Sequence, residues 1–322
     1  MLERVGRFPF ADNDDRFCGQ LDPDALQQLG IDSGRETHFV REPGGRRLAV
    51  ELNGKADGHT VFLFHGSPGG RTGPRLQLGQ LHSLNINLVT YDRPGYGYST
   101  PQSGRRPVDV VGDVQTIVDY LGVPPGFSVA GRSGGGPGAL ACAALLPGVK
   151  NAAVLSSPAP YDGMGQAWYD GVGQTNLRTL DAFERGQENL SDFVTLMHRR
   201  PAALLESVAS VLAPDDRRVL ASDYLRAELI RSQANAVQFG PEGWVDDTIE
   251  KYDWGFEPRT ITVPTLVWYG GQDPFVPPGH GQYLVDAIPS AVPAFEPEAS
   301  HFRASLAVPA ALGWCATGQY HS

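Results

Sequence analysis

Ser133 is the residue around which chemistry can be arranged in this chain. Gly131-Arg132-Ser133-Gly134-Gly135 follows the apolar run from Phe127 to Ala130 and precedes a helix-like stretch from Pro137 to Leu146. A strand therefore turns sharply through a serine into a helix, the setting of a nucleophile elbow. Glycines on either side let the serine occupy a strained turn without side chains striking the neighbouring strand and helix. A serine hydroxyl is a weak nucleophile at neutral pH and needs an adjacent base. Imidazole can take that proton and return it to a leaving group, and His301, beyond the last strand-like run, is the candidate. A carboxylate must fix the imidazole tautomer and stabilise the imidazolium. Asp273, in Gly-Gly-Gln-Asp after the run from Thr265 to Tyr269, is favoured for that role over Asp162, which reads as a cap-hinge or helix-capping residue. His280 is a weaker base candidate than His301. His65 is expected to order its own loop by hydrogen bonding, and His38, His59, His82, His198 and His321 are read as solvated or packed.

These residues need a scaffold that brings strand ends together. Thr37–Glu42 and Arg47–Leu52 alternate by twos around Pro43-Gly44-Gly45, which predicts an antiparallel hairpin. Thr60–Phe64 is a continuous apolar run, the pattern of a strand covered on both faces of a parallel sheet. Further strands are read at Ile86–Tyr91, Phe127–Ala130, Asn151–Ser157, Thr265–Tyr269 and Ala291–Phe295. Helices are read between or after them at Arg75–Leu84, Val108–Leu121, Pro137–Leu146, Gly281–Ile288 and Arg303–Leu312. The alternation builds an α/β fold with a doubly wound, mostly parallel sheet, whose ligands bind beyond the carboxyl ends of the strands. It stops from about Tyr161 to Pro258, where helical segments near 176–188, 190–212, 215–236 and 242–251 read as an inserted helical cap. The expected division is an N-terminal arm over 1–36 with a short helix at Asp22–Leu29, a core over 37–160 and 259–322, and the cap over 161–258.

Four signals in one order, HGSPGG at 65–70, DRPGYGYS at 92–99, GRSGG at 131–135, and the strand-end Asp273 and His301, make the chain resemble the serine-type α/β-hydrolases over about 37–160 and 260–314. The resemblance implies a capped bacterial hydrolase that works through an acyl intermediate on Ser133, with Asp273 and His301 completing a triad. It assigns the oxyanion donors to the backbone N–H groups of Gly134 and Ser67, and it makes Asp92, Arg93 and Pro94 a structural loop below the site. A serine at the elbow argues against the family's haloalkane dehalogenases and epoxide hydrolases, which carry aspartate there. Hydrolysis of a carboxylic ester, lactone or thioester is the expected reaction. Alternatives are a proline-iminopeptidase-like peptidase or amidase, C–C bond hydrolysis, cofactor-free haloperoxidase chemistry, and acyl transfer or cyclisation onto an acceptor within the substrate. HGSPGG is similar to the HGGPGG of the iminopeptidases, but Arg132 and Gly134 beside Ser133 depart from their GGSWG elbow. A non-catalytic ligand-binding scaffold is disfavoured by the intact Ser, Asp and His set. Among the cap aromatics, Trp168 and Trp244 are candidates for the substrate pocket. Arg132 is expected to anchor the elbow to a buried carboxylate, with a substrate anion as the other option.

Composition narrows the partners. The 322 residues carry a net charge of -10 without a lysine or arginine block, so nucleic acid and anionic membrane surfaces are repelled. No stretch reaches membrane-spanning length and no charged-then-apolar leader opens the chain, so a cytoplasmic location is expected. Cys18, Cys142 and Cys315 are odd in number and widely spaced, which suggests neither a disulfide framework nor zinc. With no P-loop, no G-x-G-x-x-G opening a βαβ unit and no His/Cys cluster, no cofactor and no metal are expected. The expected partner is a small-molecule acyl substrate, bound by a monomer or homodimer.

Overall fold

The computed structural model describes residues 37–73, 78–173, 177, 192, 195, 199–200, 205, 208–249 and 252–321. The hairpin forms from β1 (His38–Arg41) and β2 (Arg47–Gly54), which pair antiparallel with Phe39 opposite Ala49. β3 (His59–Phe64), α1 (Leu78–Ser83), β4 (Ile86–Tyr91), α2 (Val110–Leu121), β5 (Phe127–Arg132), α3 (Gly136–Leu145) and β6 (Val149–Leu155) follow in alternation. After α4 (Tyr161–Met164), α5 (Pro214–Leu220), α6 (Asp223–Ala236) and α7 (Glu242–Ile249), the alternation resumes with β7 (Thr265–Gly270), α8 (Pro278–Ala287), β8 (Ala291–Glu296) and α9 (Ala304–Thr317). The eight strands form one sheet in the order β1-β2-β4-β3-β5-β6-β7-β8. Only the β1–β2 and β2–β4 pairs are antiparallel. The chain thus folds as an α/β protein with a mostly parallel sheet.

Side-chain alternation along the strands divides the core into two layers. Phe62, Phe64, Val129, Val154 and Val267 pack with Val114 and Ile117 of α2, Leu140 of α3 and Leu284 of α8 on one face. Val61, Ala130, Ala153, Leu155 and Trp268 pack with Leu81 of α1 and Leu312 and Trp314 of α9 on the other. All six positions of β7 are buried, as a strand covered on both faces requires. Each fully buried Val, Leu or Phe side chain contributes roughly 1.5–3 kcal/mol of transfer free energy.

Two expected helices differ. The stretch 215–236 is two helices, because Ser222 leaves helical geometry at ψ 114 and its Oγ accepts the Leu225 N–H at 3.4 Å, an N-cap that starts α6 anew. The closing helix passes Leu312 and ends only at Gly318, whose φ of 72 is the left-handed stop that favours glycine. The arm over 1–36 with its helix at Asp22–Leu29, and most of the segments near 176–188 and 190–212, lie outside the described residues. Among the described residues, no helix is long and apolar enough to cross a membrane.

Candidate active site

The candidate groups gather at the C-terminal ends of β3, β5 and β7 and in the turn after β8. At the end of β5, Arg132 is still extended (φ -116, ψ 134), and Ser133 then takes φ 51, a left-handed conformation costly for a non-glycine residue. The turn's glycines are sterically required. A Cβ at Gly131 would strike the Gly135 carbonyl, and one at Gly135 would strike the Phe64 and His65 carbonyls at the end of β3. One 3-10 turn over Ser133–Gly135 leads into α3, whose N-terminal end favours negative charge at this spot. A Cβ at Gly134 would collide with the Ser67 side chain and lie 3.4 Å from the Ser67 backbone nitrogen. Gly134 and Ser67, the two residues expected to supply the oxyanion donors, are therefore packed side by side.

Asp273 and His301 meet directly. Asp273 Oδ2 lies 2.8 Å from His301 Nδ1, while Asp273 Oδ1 accepts the N–H groups of Phe275 and Val276 at 2.8 Å each. The pair is withdrawn from water, at 3% and 7% exposure. The His301 turn is held from α5, where Asp216 Oδ1 accepts the Phe302 N–H at 2.7 Å and Asp215 Oδ2 accepts the Ser300 N–H at 3.3 Å. Burial raises the Asp216 carboxyl above its ordinary range, against the hydrogen bonds it accepts.

The rivals take other positions. Asp162 is exposed on α4. His280 has both ring nitrogens engaged, since Nδ1 accepts the Ala159 N–H and Nε2 donates to the Trp168 carbonyl, each at 3.1 Å. Burial lowers its pKa to about 4, so it is a neutral structural residue at neutral pH. His65 orders its loop: Nε2 accepts the Arg93 N–H at 3.1 Å, and Nδ1 donates to the Gly66 carbonyl at 2.8 Å. Trp168 is buried against His280, with ring centroids 4.9 Å apart, and its Nε1 donates to the Ala159 carbonyl at 2.8 Å. Trp244 packs against the cluster of Tyr96, Ala236 and Val237. Both tryptophans thus stand in packing positions.

Sequence reasoning missed Asp247. This α7 carboxylate is buried in the core, where Arg93 donates Nη1 to its Oδ1 at 2.7 Å and Nη2 to its Oδ2 at 2.6 Å. Tyr96 Oη donates to Oδ2 at 2.6 Å, and Arg105 Nη2 and Ser67 Oγ also donate to the carboxylate. Burial opposes its charge, but Arg93 and Arg105 outweigh burial and hold the carboxyl far below the usual range. Nothing in Asp246-Asp247 marks Asp247 as the partner of two arginines from distant loops, since both carboxylates are buried and only contacts between segments far apart in sequence tell them apart.

Arg132 corrects the expectation of a buried carboxylate anchor. Among the described residues the one hydrogen bond of its side chain is Nη1 to Ser305 Oγ at 3.2 Å, and no acid pairs with it. Burial alone lowers its guanidinium to about 10.

This fold, with these groups on its strand ends, defines an α/β-hydrolase-fold enzyme. The family model described as alpha/beta hydrolase fold matches residues 59–303, and the chain belongs to that family. It is 25% identical over 275 residues, 82% of this chain and 88% of the relative, to a 2-hydroxy-6-oxononadienedioate/2-hydroxy-6-oxononatrienedioate hydrolase of Comamonas testosteroni. Among solved structures, an esterase from Thermogutta terrifontis superposes with a TM-score of 0.62 at 20% identity, covering 88% of this chain and 100% of that one. An enol-lactonase from Burkholderia xenovorans superposes with a TM-score of 0.60 at 21% identity, covering 84% and 96%.

Proposed function

We propose that the protein hydrolyses a carboxylic ester, lactone or thioester through an acyl intermediate on Ser133. The observation that carries this reading is the 2.8 Å contact of Asp273 Oδ2 with His301 Nδ1 on the sheet edge where Ser133 stands at φ 51. With Nδ1–H directed at the carboxylate, His301 presents Nε2 as the acceptor for the Ser133 proton. Ser133 Oγ attacks the acyl carbon, and the N–H groups of Gly134 and Ser67 stabilise the oxyanion. The proton on His301 passes to the leaving alcohol or thiol. A water then gives its proton to His301, attacks the acyl carbon and frees the acid and the serine. Ser133→Ala is expected to lower turnover of p-nitrophenyl esters by about 10³-fold or more and to abolish labelling by a fluorophosphonate. Unchanged labelling sinks the assignment.

C–C bond hydrolysis is the second reading, favoured by the named activity of the relative matched over most of the chain. The same groups serve it, with a carbon leaving group protonated in place of oxygen or sulfur. Loss of the absorbance of a 2-hydroxy-6-oxo-dienoate, catalysed faster than hydrolysis of any ester in a panel, selects this reading over the first.

A further inference from the structure

His301 opens a single 3-10 turn, His301–Arg303, between β8 and α9. A turn this short has no carbonyls of its own for its leading N–H groups, so the backbone on either side of the base needs acceptors from elsewhere. Both come from α5. Asp215 Oδ2 accepts the Ser300 N–H at 3.3 Å, and Asp216 Oδ1 accepts the Phe302 N–H at 2.7 Å. The Phe302 nitrogen is bonded to the His301 carbonyl carbon, so bond lengths alone keep Asp216 Oδ1 within about 5.6 Å of His301 Cα.

The two aspartates are not equivalent. Asp215 makes the longer bond and has the half-exposed Arg303 guanidinium 3.9 Å from its Oδ1. Asp216 is fully buried, and a short bond from an amide to a carboxylate away from water is of the stronger, charge-assisted kind. Burial works against that charge, so the carboxylate is kept at a cost. The same helix gives Val219 and Leu220 to an apolar cluster that takes in Phe302 and Phe275, and the Phe275 ring lies 5.0 Å from the imidazole between centroids. Asp273 fixes how the imidazole is turned, through Nδ1, but where the ring stands depends on Cα, which the turn sets. Beyond the turn, Arg132, the residue before Ser133, donates to Ser305 Oγ at 3.2 Å. The segment that carries the base is thus braced between α5 and the elbow.

We propose that Asp216 is a positioning residue for the general base, its hydrogen bond with the Phe302 N–H holding His301 where the imidazole serves Ser133. The inference rests on the reading of Ser133 as nucleophile and His301 as base, and it makes a residue of the inserted helices part of what sets kcat. Asp216 acts through the backbone of the turn and not on the substrate. A displacement of the base by about 1 Å is enough to cost about 10²-fold in rate.

Steady-state kinetics on p-nitrophenyl esters with the full chain, rates being referred to the folded fraction from urea unfolding, separate positioning from stability. Asp216→Ala is expected to lower kcat by about 10- to 100-fold with KM within about twofold of the parent. Asp216→Asn, whose amide oxygen can take the same N–H, is expected to recover most of that loss. Ile117→Val, a buried change on α2, provides the comparison: a lower denaturation midpoint with kcat unchanged. Should Asp216→Ala fail to fold, Asp216→Ser, which keeps the site polar but falls short of the amide, is expected to show the same split between kcat and KM. A kcat for Asp216→Ala within about twofold of the parent, a loss in Asp216→Asn as deep as in Asp216→Ala, or a raised KM with kcat held overturns the proposal, the last outcome marking Asp216 as a substrate contact. Failure of the reading beneath it shows differently, as ester turnover that survives Ser133→Ala or His301→Gln.

Discussion

Asp273 divides its two oxygens between tasks. Oδ1 is occupied by the Phe275 and Val276 N–H groups and only Oδ2 reaches His301, so the carboxylate is oriented before substrate arrives. This arrangement decides what Asp273→Asn does. The two backbone donors retain the amide oxygen at the Oδ1 position, which turns the amide NH2 toward His301 Nδ1. The imidazole must then accept at Nδ1 and carry its proton on Nε2, where it is unable to receive the serine proton. Activity is expected to fall by about 10⁴-fold in kcat with KM little changed, in a protein whose denaturation midpoint stays near that of the parent. A loss of only a few-fold would mean that another carboxylate orients the imidazole, and Asp216, bonded to the neighbouring Phe302 N–H, is the one to replace next.

At the scale of elements, the helices inserted between β6 and β7 grip both halves of the site. α5 holds the His301 turn through Asp215 and Asp216, and α7 drives Asp247 between Arg93, Arg105, Tyr96 and Ser67. Asp247→Asn leaves two buried guanidinium groups short of their counter-charge, which is expected to cost about 3–5 kcal/mol in denaturant unfolding. Because Ser67 Oγ loses the acceptor it donates to, the loop proposed to hold the oxyanion is expected to loosen as well. A fall of about tenfold or more in kcat under folded conditions, with KM nearly constant, is the expected kinetic sign, and an unchanged kcat would confine Asp247 to stability. The contrast between legible and illegible parts follows from range. Ser133 and its glycines announce themselves because the strained turn imposes its demands within five residues, and the buried strands do so because their covering on both faces removes polar positions. Asp247 and Arg132 gave no comparable sign: the partners of one, and the want of an acidic partner for the other among the described residues, depend on contacts between segments far apart in sequence. The helix break at Ser222 was legible in principle, since serine is a strong N-cap residue, but the helical spacing on both sides concealed it.

For the molecule as a whole, the parallel sheet is a platform that collects loop residues from distant segments at one edge, and the same burial that preorganises them makes folding depend on pH. His280 is the clearest contributor. It joins the segment after β6 to α8 through the Ala159 N–H and the Trp168 carbonyl, and burial lowers its pKa from 6.5 to about 4, against the favourable pull of Asp273. Between those two values the unfolded chain binds a proton on this histidine and the folded chain does not. Its contribution is therefore retained above pH 6.5 and declines as pH falls toward 4, by on the order of 3 kcal/mol over the window. Buried carboxyls act in the opposite direction, since Asp92, Asp113, Asp216 and Asp246 are raised by burial, take up protons on acidification in the folded state, and relieve part of the net charge of -10. A bare stability profile mixes these effects, whereas the difference between the parent and His280→Gln cancels the carboxyls common to both. Urea unfolding of the two proteins from pH 7.5 down to about 4 is expected to show the parent's advantage shrinking steadily as the solution is acidified. An advantage that stays constant across the window would mean that His280 binds its proton alike in the folded and unfolded chains, and the lowering of its pKa by burial would have to be abandoned.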